Sequence, residues 1–236
     1  MANFFPRWTN LLPLKLAVCV GVVALAVAAG FAYYATPKTL AVGYQPSQPI
    51  PFSHKIHVDQ IGLDCRYCHS FVDVSNQSNV PSPSTCWNCH QHVQQESPKL
   101  QPLRDRFNPK HPDFGKPIRW VRVHKVPDYV QFNHSAHVNR GISCKSCHGR
   151  VDQMEVIAQD QPLSMSWCLD CHKAPELHLR PLEKVYDMKF DAEEFLKTHP
   201  TTDARGKPLV TREDLGLMLK EQWKVEPRIT CATCHH

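Results

Sequence analysis

Five short motifs of the form Cys-x-x-Cys-His are the strongest constraint in this sequence, and they contain ten of its eleven cysteines. We number them I to V in chain order, at residues 65–69, 86–90, 144–148, 168–172 and 231–235. A random chain of this composition would give about 0.03 such matches, so chance does not explain them. Two thiols that form thioethers with vinyl groups, followed by an imidazole that binds iron, suit a haem. The motifs therefore predict five covalently bound c-type haems.

The motifs assign two sets of residues. The ten cysteines that attach the haems are Cys65, Cys68, Cys86, Cys89, Cys144, Cys147, Cys168, Cys171, Cys231 and Cys234. The five proximal iron ligands are His69, His90, His148, His172 and His235. Zinc sites use Cys-x-x-Cys pairs two at a time and need no histidine after each pair. Redox Cys-x-x-Cys motifs seldom recur five times in one chain, so haem is the better interpretation.

A repeat supplies candidates for the second axial position of the irons. Residues 52–57 and 132–137 share the pattern Phe-x-His-x-x-His, and each copy is followed by two motifs. Histidines at i and i+3 lie on one side of a helical turn and can reach two different irons. The repeat predicts two dihaem modules plus a fifth haem, with distal ligands His54, His57, His134 and His137.

The fifth distal ligand is predicted to be His124, which lies ten residues before His134. Met154 and Met165 are the alternatives, and a thioether ligand would raise the potential of that haem. His178, His199 and His236 are weaker candidates. If protein ligands fill both axial positions, every iron is low-spin and closed to substrates, which suits electron transfer. No catalytic residue is predicted.

An uncharged apolar run at residues 16–34 predicts a membrane anchor. A helix of roughly 20 apolar residues crosses a ~30 Å hydrocarbon layer. Arg7 and Lys15 precede the run, and basic residues favour the cytoplasmic side. We expect a single pass through the bacterial inner membrane, with the haem domain in the periplasm. The alternative, a cleaved signal peptide, usually has an apolar region of only 7–15 residues.

The composition argues against a large protein core. Pro, at 20 residues, outnumbers Gly at 9, and about 40 residues remain for each haem after the anchor. We therefore predict a mostly irregular and α-helical multihaem cytochrome c, with a core built from haems. Short helices are expected over 191–197 and, with a capped start, over 211–223. The net charge of +5 carries little weight because haem propionates are negative, and no nucleic-acid partner is expected.

These patterns divide the chain into five parts. They are the cytoplasmic tip and transmembrane anchor (1–36), dihaem module 1 (50–96), a Pro-rich linker (97–123), dihaem module 2 (124–180) and a C-terminal segment with the fifth haem (181–236).

Two families resemble this sequence. The Phe-x-His-x-x-His pattern is typical of class III multihaem cytochromes, and residues 50–90 and 130–172 are similar to them. Nearly the whole chain resembles the pentahaem cytochrome subunit of bacterial alternative complex III. The features that carry this second resemblance are the anchor, the order of the five motifs, and residues 43–46, 64–69, 123–128 and 164–168.

The second resemblance implies an electron relay. In that family quinol is oxidised in a membrane subunit, and electrons pass through an iron–sulfur subunit to the pentahaem protein. The expected partners are therefore an iron–sulfur subunit, quinol-binding membrane subunits and a monohaem cytochrome c, with a periplasmic cytochrome or terminal oxidase as acceptor. The resemblance implies no catalytic site in this chain.

Two other functions compete with the relay. The first is a membrane-anchored quinol dehydrogenase that acts alone, but one helix offers little surface for a quinol pocket. The second is a haem enzyme, which needs an open iron; the sequence has no Cys-x-x-Cys-Lys motif and many spare histidines.

Overall fold

A computed structural model describes residues 6–36 and 41–235 of the 236-residue chain. Residues 1–5, in the predicted cytoplasmic tip, and His236 lie outside this range, as do residues 37–40. Within the described ranges the chain forms short helices joined by irregular segments, and its β-structure is limited to isolated bridges. The predicted fold class, mostly irregular and α-helical, is confirmed.

The ten α-helices of the described chain are short except for the first. They are α1 (Leu12–Tyr34), α2 (Cys65–Cys68), α3 (Pro83–His90), α4 (Gln101–Arg104), α5 (His134–Val138), α6 (Cys144–His148), α7 (Met165–Lys173), α8 (Ala192–Thr198), α9 (Arg212–Trp223) and α10 (Cys231–Cys234). A π-helical turn covers Lys55–Gln60. Turns of 3-10 helix cover Arg7–Leu11, Pro98–Leu100, Val151–Gln153, Pro175–Leu177 and Leu182–Lys184.

The N-terminal helix α1 stands apart from the rest of the described chain. None of its residues is buried. Together with the preceding turn, from Trp8 to Tyr34, it is long and apolar enough to cross a membrane. An apolar helix that contacts no protein core needs an apolar environment, and lipid supplies one. The helix is therefore a candidate membrane span.

The cysteines of each motif lie in a short helix, and four of these helices start at residues that favour a helix start. The side chains of Asp64, Ser143 and Ser164 accept hydrogen bonds from backbone N–H groups in the first turns of α2, α6 and α7. Pro83 takes the first position of α3, where its missing N–H costs nothing. The two cysteines of a motif therefore lie one helical turn apart, on the same side of the helix.

The two modules pack against each other through the loop after motif I. The carbonyl oxygens of Asn76 and Ser75 accept hydrogen bonds from the N–H groups of His134 and Ser135, each at 3.1 Å. Asn139 Nδ2 donates to the carbonyl of Asp73 at 2.8 Å. A small cluster of buried valines, formed by Val72, Val138 and Val185, lies beside this contact. The start of α5 is thus held by module 1.

The segment 97–123, predicted as a linker, packs back against motif II. Leu103 is only 1% exposed and lies in a cluster with Ile50 and Ile118. The ring of Phe107 stacks on Trp87 of motif II, with 4.6 Å between ring centres. This segment therefore encloses one side of α3.

The largest apolar cluster among the described residues lies in the C-terminal part. It joins α8 and α9 to the chain that follows motif IV, through Leu179, Leu196, Leu209, Leu215, Leu219 and other residues. Helix α9 starts with a capping box in which Thr211 and Asp214 bond each other's backbone N–H groups. Both predicted helices, over 191–197 and 211–223, are confirmed.

Candidate haem-binding sites

Each motif defines one candidate site, which we name by the motif's number. The motif cysteines are free thiols, and those of Cys89 in site II and Cys231 in site V are exposed. Burial, with the neighbouring Cys171 as the second cause, raises the pKa of Cys147 to about 12. Paired free thiols one turn apart are the donors that thioether attachment to a haem requires, because each S–H adds across one vinyl group.

Backbone carbonyls orient most of the candidate iron ligands. Because a carbonyl oxygen only accepts, Nδ1 must carry the proton, and Nε2 keeps the lone pair that binds iron. Such a bond to a metal-binding histidine also fixes the direction of its ring. The bonds run from Nδ1 of His57 to Ser53 (2.8 Å), His69 to Asn79 (2.8 Å), His90 to Val93 (3.2 Å), His134 to Asn76 (3.0 Å), His137 to Asn133 (2.7 Å) and His172 to Arg228 (3.0 Å).

Three pairs of imidazole rings are spaced to bind one metal ion between them. Metal–nitrogen bonds of about 2 Å on opposite sides of an ion put the two ring centres about 6 Å apart. The ring centres of His57 and His90 are 6.1 Å apart. Those of His134 and His148 are 6.5 Å apart, and those of His137 and His172 are 6.2 Å apart. Each pair joins a repeat histidine to a motif histidine, so these side chains fit a haem iron at sites II, III and IV.

The phenylalanine of the repeat holds both of its histidines in the same way in the two modules. Phe52 stacks on His57 with 4.4 Å between ring centres, and its edge meets His54 at 4.9 Å. Phe132 stacks on His137 at 4.6 Å and meets His134 edge-on at 4.8 Å. Sequence reasoning used this residue as part of a pattern and missed its role, which is to brace both imidazoles from one side.

At site I the candidate distal ligand is His54, which is largely buried. Burial first, and then the charge of His69, lowers the pKa of His54 to about 4, so this ring is neutral near pH 7. Its Nδ1 atom is buried and makes no hydrogen bond with the described protein. Nδ1 of His54 therefore lacks the carbonyl partner that orients six of the other candidate ligands, and His54 as the distal ligand of site I stays a prediction.

Asn79 is a functional residue that the sequence analysis did not identify. Its carbonyl accepts the Nδ1 bond of His69, its side-chain amide donates to the carbonyl of Cys68 at 3.2 Å, and its side-chain oxygen accepts from Phe71 N at 3.1 Å. Its φ of 51° is a left-handed conformation, which asparagine adopts more readily than most residues. That preference is the one signal the sequence offered. Through these three hydrogen bonds Asn79 fixes motif I to the loop that follows it.

The fifth distal ligand stays a prediction. The ring of His124 lies 4.2 Å from that of His148, next to motif III, and its Nε2 atom is buried without a hydrogen-bond partner in the described protein. The ring that contacts His235 is that of Tyr129, at 5.7 Å between centres. Met154 is half-buried, and Met165 is 62% exposed at the start of α7.

Two further histidines use ring nitrogens in local contacts. His111 accepts from the N–H of Asp113 through Nδ1, and its Nε2 lies 3.7 Å from Asp105. The Nδ1 atom of His199 bonds its own helix end, at Thr198 and Phe195. His178 remains partly buried, which lowers its pKa.

The fold and the paired histidines fit one class of protein, the multihaem c-type cytochromes. No protein-family model matches the chain. It is 36% identical over 126 residues to a curated protein of Nitratidesulfovibrio vulgaris (strain Hildenborough), the multihaem cytochrome c subunit of menaquinone reductase. The matched region covers 53% of this chain and 56% of the relative, so the chain spans about half the length of the relative it matches.

Proposed function

We propose that this chain is a membrane-anchored pentahaem cytochrome that relays electrons within a quinol-oxidising respiratory or photosynthetic complex of the alternative complex III type. The observation that carries this proposal is the set of three imidazole pairs about 6 Å apart, one each at sites II, III and IV. Irons that are held on both faces by histidine have no open position for a substrate.

The chain's own residues would attach the haems, orient the iron ligands and close the axial positions to substrates. When bound, each haem iron takes up and releases one electron. The ten motif cysteines fix the haems covalently, and the carbonyls that accept from histidine Nδ1 keep the rings in one tautomer. Because the ligands are rigidly held, an iron would change charge with little movement of its surroundings. On this proposal the chain has no catalytic site of its own.

The partners we propose are the other subunits of a membrane complex: an iron–sulfur subunit, quinol-binding membrane subunits and a monohaem cytochrome c. The apolar helix α1 supports attachment to the inner membrane, with the N-terminus in the cytoplasm and the haem domain in the periplasm. The relative from N. vulgaris supports work in an assembly, since its name describes a subunit of menaquinone reductase. Electrons would leave towards a periplasmic cytochrome or a terminal oxidase.

A second candidate function is the same relay run in the opposite direction, into the quinone pool. The observation that favours it is the name of the relative, a menaquinone reductase subunit, over about half the chain. The sites of this chain serve either direction, because an electron carrier works both ways. Direction is then set by the partner subunits and the potentials of their cofactors.

Purification of the tagged full chain from its native membranes, in mild detergent and with identification of co-purifying subunits, tests the proposal. We expect a stable assembly that holds an iron–sulfur subunit and polytopic membrane subunits. Quinol added to this assembly should reduce its haems. Oxidation of the reduced haems by added quinone would instead favour the second candidate, in which electrons flow into the quinone pool. A chain that purifies alone and still accepts electrons from quinol would refute the relay and support the stand-alone dehydrogenase.

A further inference from the structure

Motifs I and II lie side by side. The hydroxyl of Tyr67, inside motif I, accepts from the side-chain amide of Asn88, inside motif II, at 3.5 Å. The π-helical turn before motif I carries His57, whose ring faces His90 of motif II. One short segment therefore serves both sites of module 1.

Motif I also touches motif III, in the other module. The neighbouring Cys144 lowers the pKa of the Cys65 thiol, and Cys65 raises that of Cys144. Haems bound at sites I and III would therefore be attached through neighbouring cysteines. The loop after motif I bonds the start of α5, which carries the distal histidine of site III. Site I is thus placed between site II and site III.

Sites III and IV are joined by α5. His134 and His137 lie one turn apart on this five-residue helix and face His148 and His172 respectively.

Site IV in turn meets site V. The ring of His172 donates from Nδ1 to the carbonyl of Arg228, three residues before motif V begins.

From these contacts we propose that the five haem sites form an unbranched series in the spatial order II–I–III–IV–V, which differs from their order in the sequence. This order rests on the proposed five haem sites and deepens the relay by naming its two ends. Sites II and V are the two ends of the series. Other redox proteins would reach the series at these ends.

The attachment of the anchor agrees with this order. The segment after the anchor is bonded to the chain beyond motif III: Gly43 N donates to the carbonyl of Gln159 at 2.7 Å, and Gln159 N donates to that of Tyr44 at 3.0 Å. Gln45 Nε2 donates to the carbonyl of Val156 at 2.9 Å. The segment that follows the anchor is therefore bonded to the chain between motifs III and IV, in the middle of the series.

Pulsed dipolar EPR of the oxidised full chain in detergent tests the order, because it measures iron-to-iron separations between low-spin ferric haems. His57→Met and His134→Met each give one site a distinct spectrum, since methionine–histidine ligation differs from bis-histidine ligation. In His57→Met, we expect the altered iron at site II to show one short iron-to-iron separation. In His134→Met, we expect the altered iron at site III to show two. His111→Met, at a histidine bonded to Asp113 and Asp105, is the matched control and should leave the spectrum unchanged.

Two short iron-to-iron separations from site II, or only one from site III, would overturn the order. If the chain still bound five haems, the proposed function would stand. Fewer than five haems in the unaltered chain would overturn both. Should a variant fail to assemble, the unaltered chain still tests whether the five sites form an unbranched series. A series of five sites gives four short separations and a long one between its ends, whereas a compact cluster gives more short separations and no long one.

Discussion

At the scale of single residues, the account depends on how imidazole rings are oriented. Six candidate ligands donate from Nδ1 to a backbone carbonyl, and Phe52 and Phe132 brace the four repeat histidines. The residue types were readable from the sequence because a motif and a repeat are local patterns. The carbonyl partners were not, since Asn76 reaches His134 and Arg228 reaches His172 only through the folded chain.

Opening one distal site should change the spin state of one haem. In His137→Ala the ring that faces His172 is removed, so the iron at site IV loses its second axial ligand. We expect one high-spin ferric haem in the EPR spectrum and one carbon monoxide bound per reduced chain. The control His199→Ala removes a histidine at the end of α8 and should stay fully low-spin. An unchanged spectrum for His137→Ala would rule out this residue as a ligand.

The contribution of Asn79 to stability should also be measurable. Asn79→Ala removes two side-chain hydrogen bonds. It also puts alanine at a φ of 51°, a left-handed conformation that alanine adopts less readily than asparagine. We expect a loss of about 1–2 kcal/mol in the free energy of unfolding, measured by denaturant titration of the holoprotein. Asn79→Gly keeps the backbone conformation accessible while losing the same bonds, so its loss should be smaller. Equal losses in the two variants would show that the backbone conformation contributes nothing.

At the scale of elements, the two modules share the same local structure but have different neighbours. Gly62 and Gly141 occupy equivalent places in the repeat and share a φ of +79°. The capped helix α9 was predictable because Thr211 and Asp214 form a local signal. Its packing was not, because the close approach of Trp223 to Gly141 joins distant parts of the chain.

The two glycines form a matched pair for mutation. A β-carbon at Gly141 would lie 2.5 Å from the carbonyl oxygen of Arg180 and 2.8 Å from the ring of Trp223, whereas at Gly62 it would meet no protein atom within 4 Å. Gly62→Ala should cost about 1 kcal/mol, the penalty of a left-handed alanine. Gly141→Ala should cost at least about 2 kcal/mol because the contact also shifts α9. Denaturant unfolding measures both, and equal costs would contradict the packing described at Gly141.

The ion pair between α9 and the turn after motif IV predicts a pH-dependent contribution to stability. Lys220 Nζ lies 2.7 Å from Glu176, and this hydrogen bond lowers the pKa of Glu176 below its ordinary value of 4.5. A lowered carboxyl pKa stabilises the fold above the ordinary value, and that stability is lost as the pH falls through the folded-state pKa. Lys220→Met should therefore cost at most about 1 kcal/mol at pH 7. The difference from the unaltered chain should vanish in acid; a difference that persists there would exclude the ion pair as its cause.

At the scale of the whole molecule, the proposed haems would supply the core that the described protein lacks. The apolar clusters of the described chain are small, and the motif helices contain no fully buried residue. The composition predicted this, since a Pro-rich chain with weak periodicity cannot bury enough apolar surface by itself. The proposed spatial order of the sites was beyond sequence reasoning, because it depends on contacts such as that of His134 with Asn76, which belong to different modules.

The number of haems is the central claim, and the intact mass of the denatured chain tests it most directly. Thioether bonds survive denaturation, so covalently attached haems stay with the polypeptide. We predict a mass that exceeds that of the polypeptide by five haem groups. A population that carries four or fewer after maturation in its native host would contradict the account.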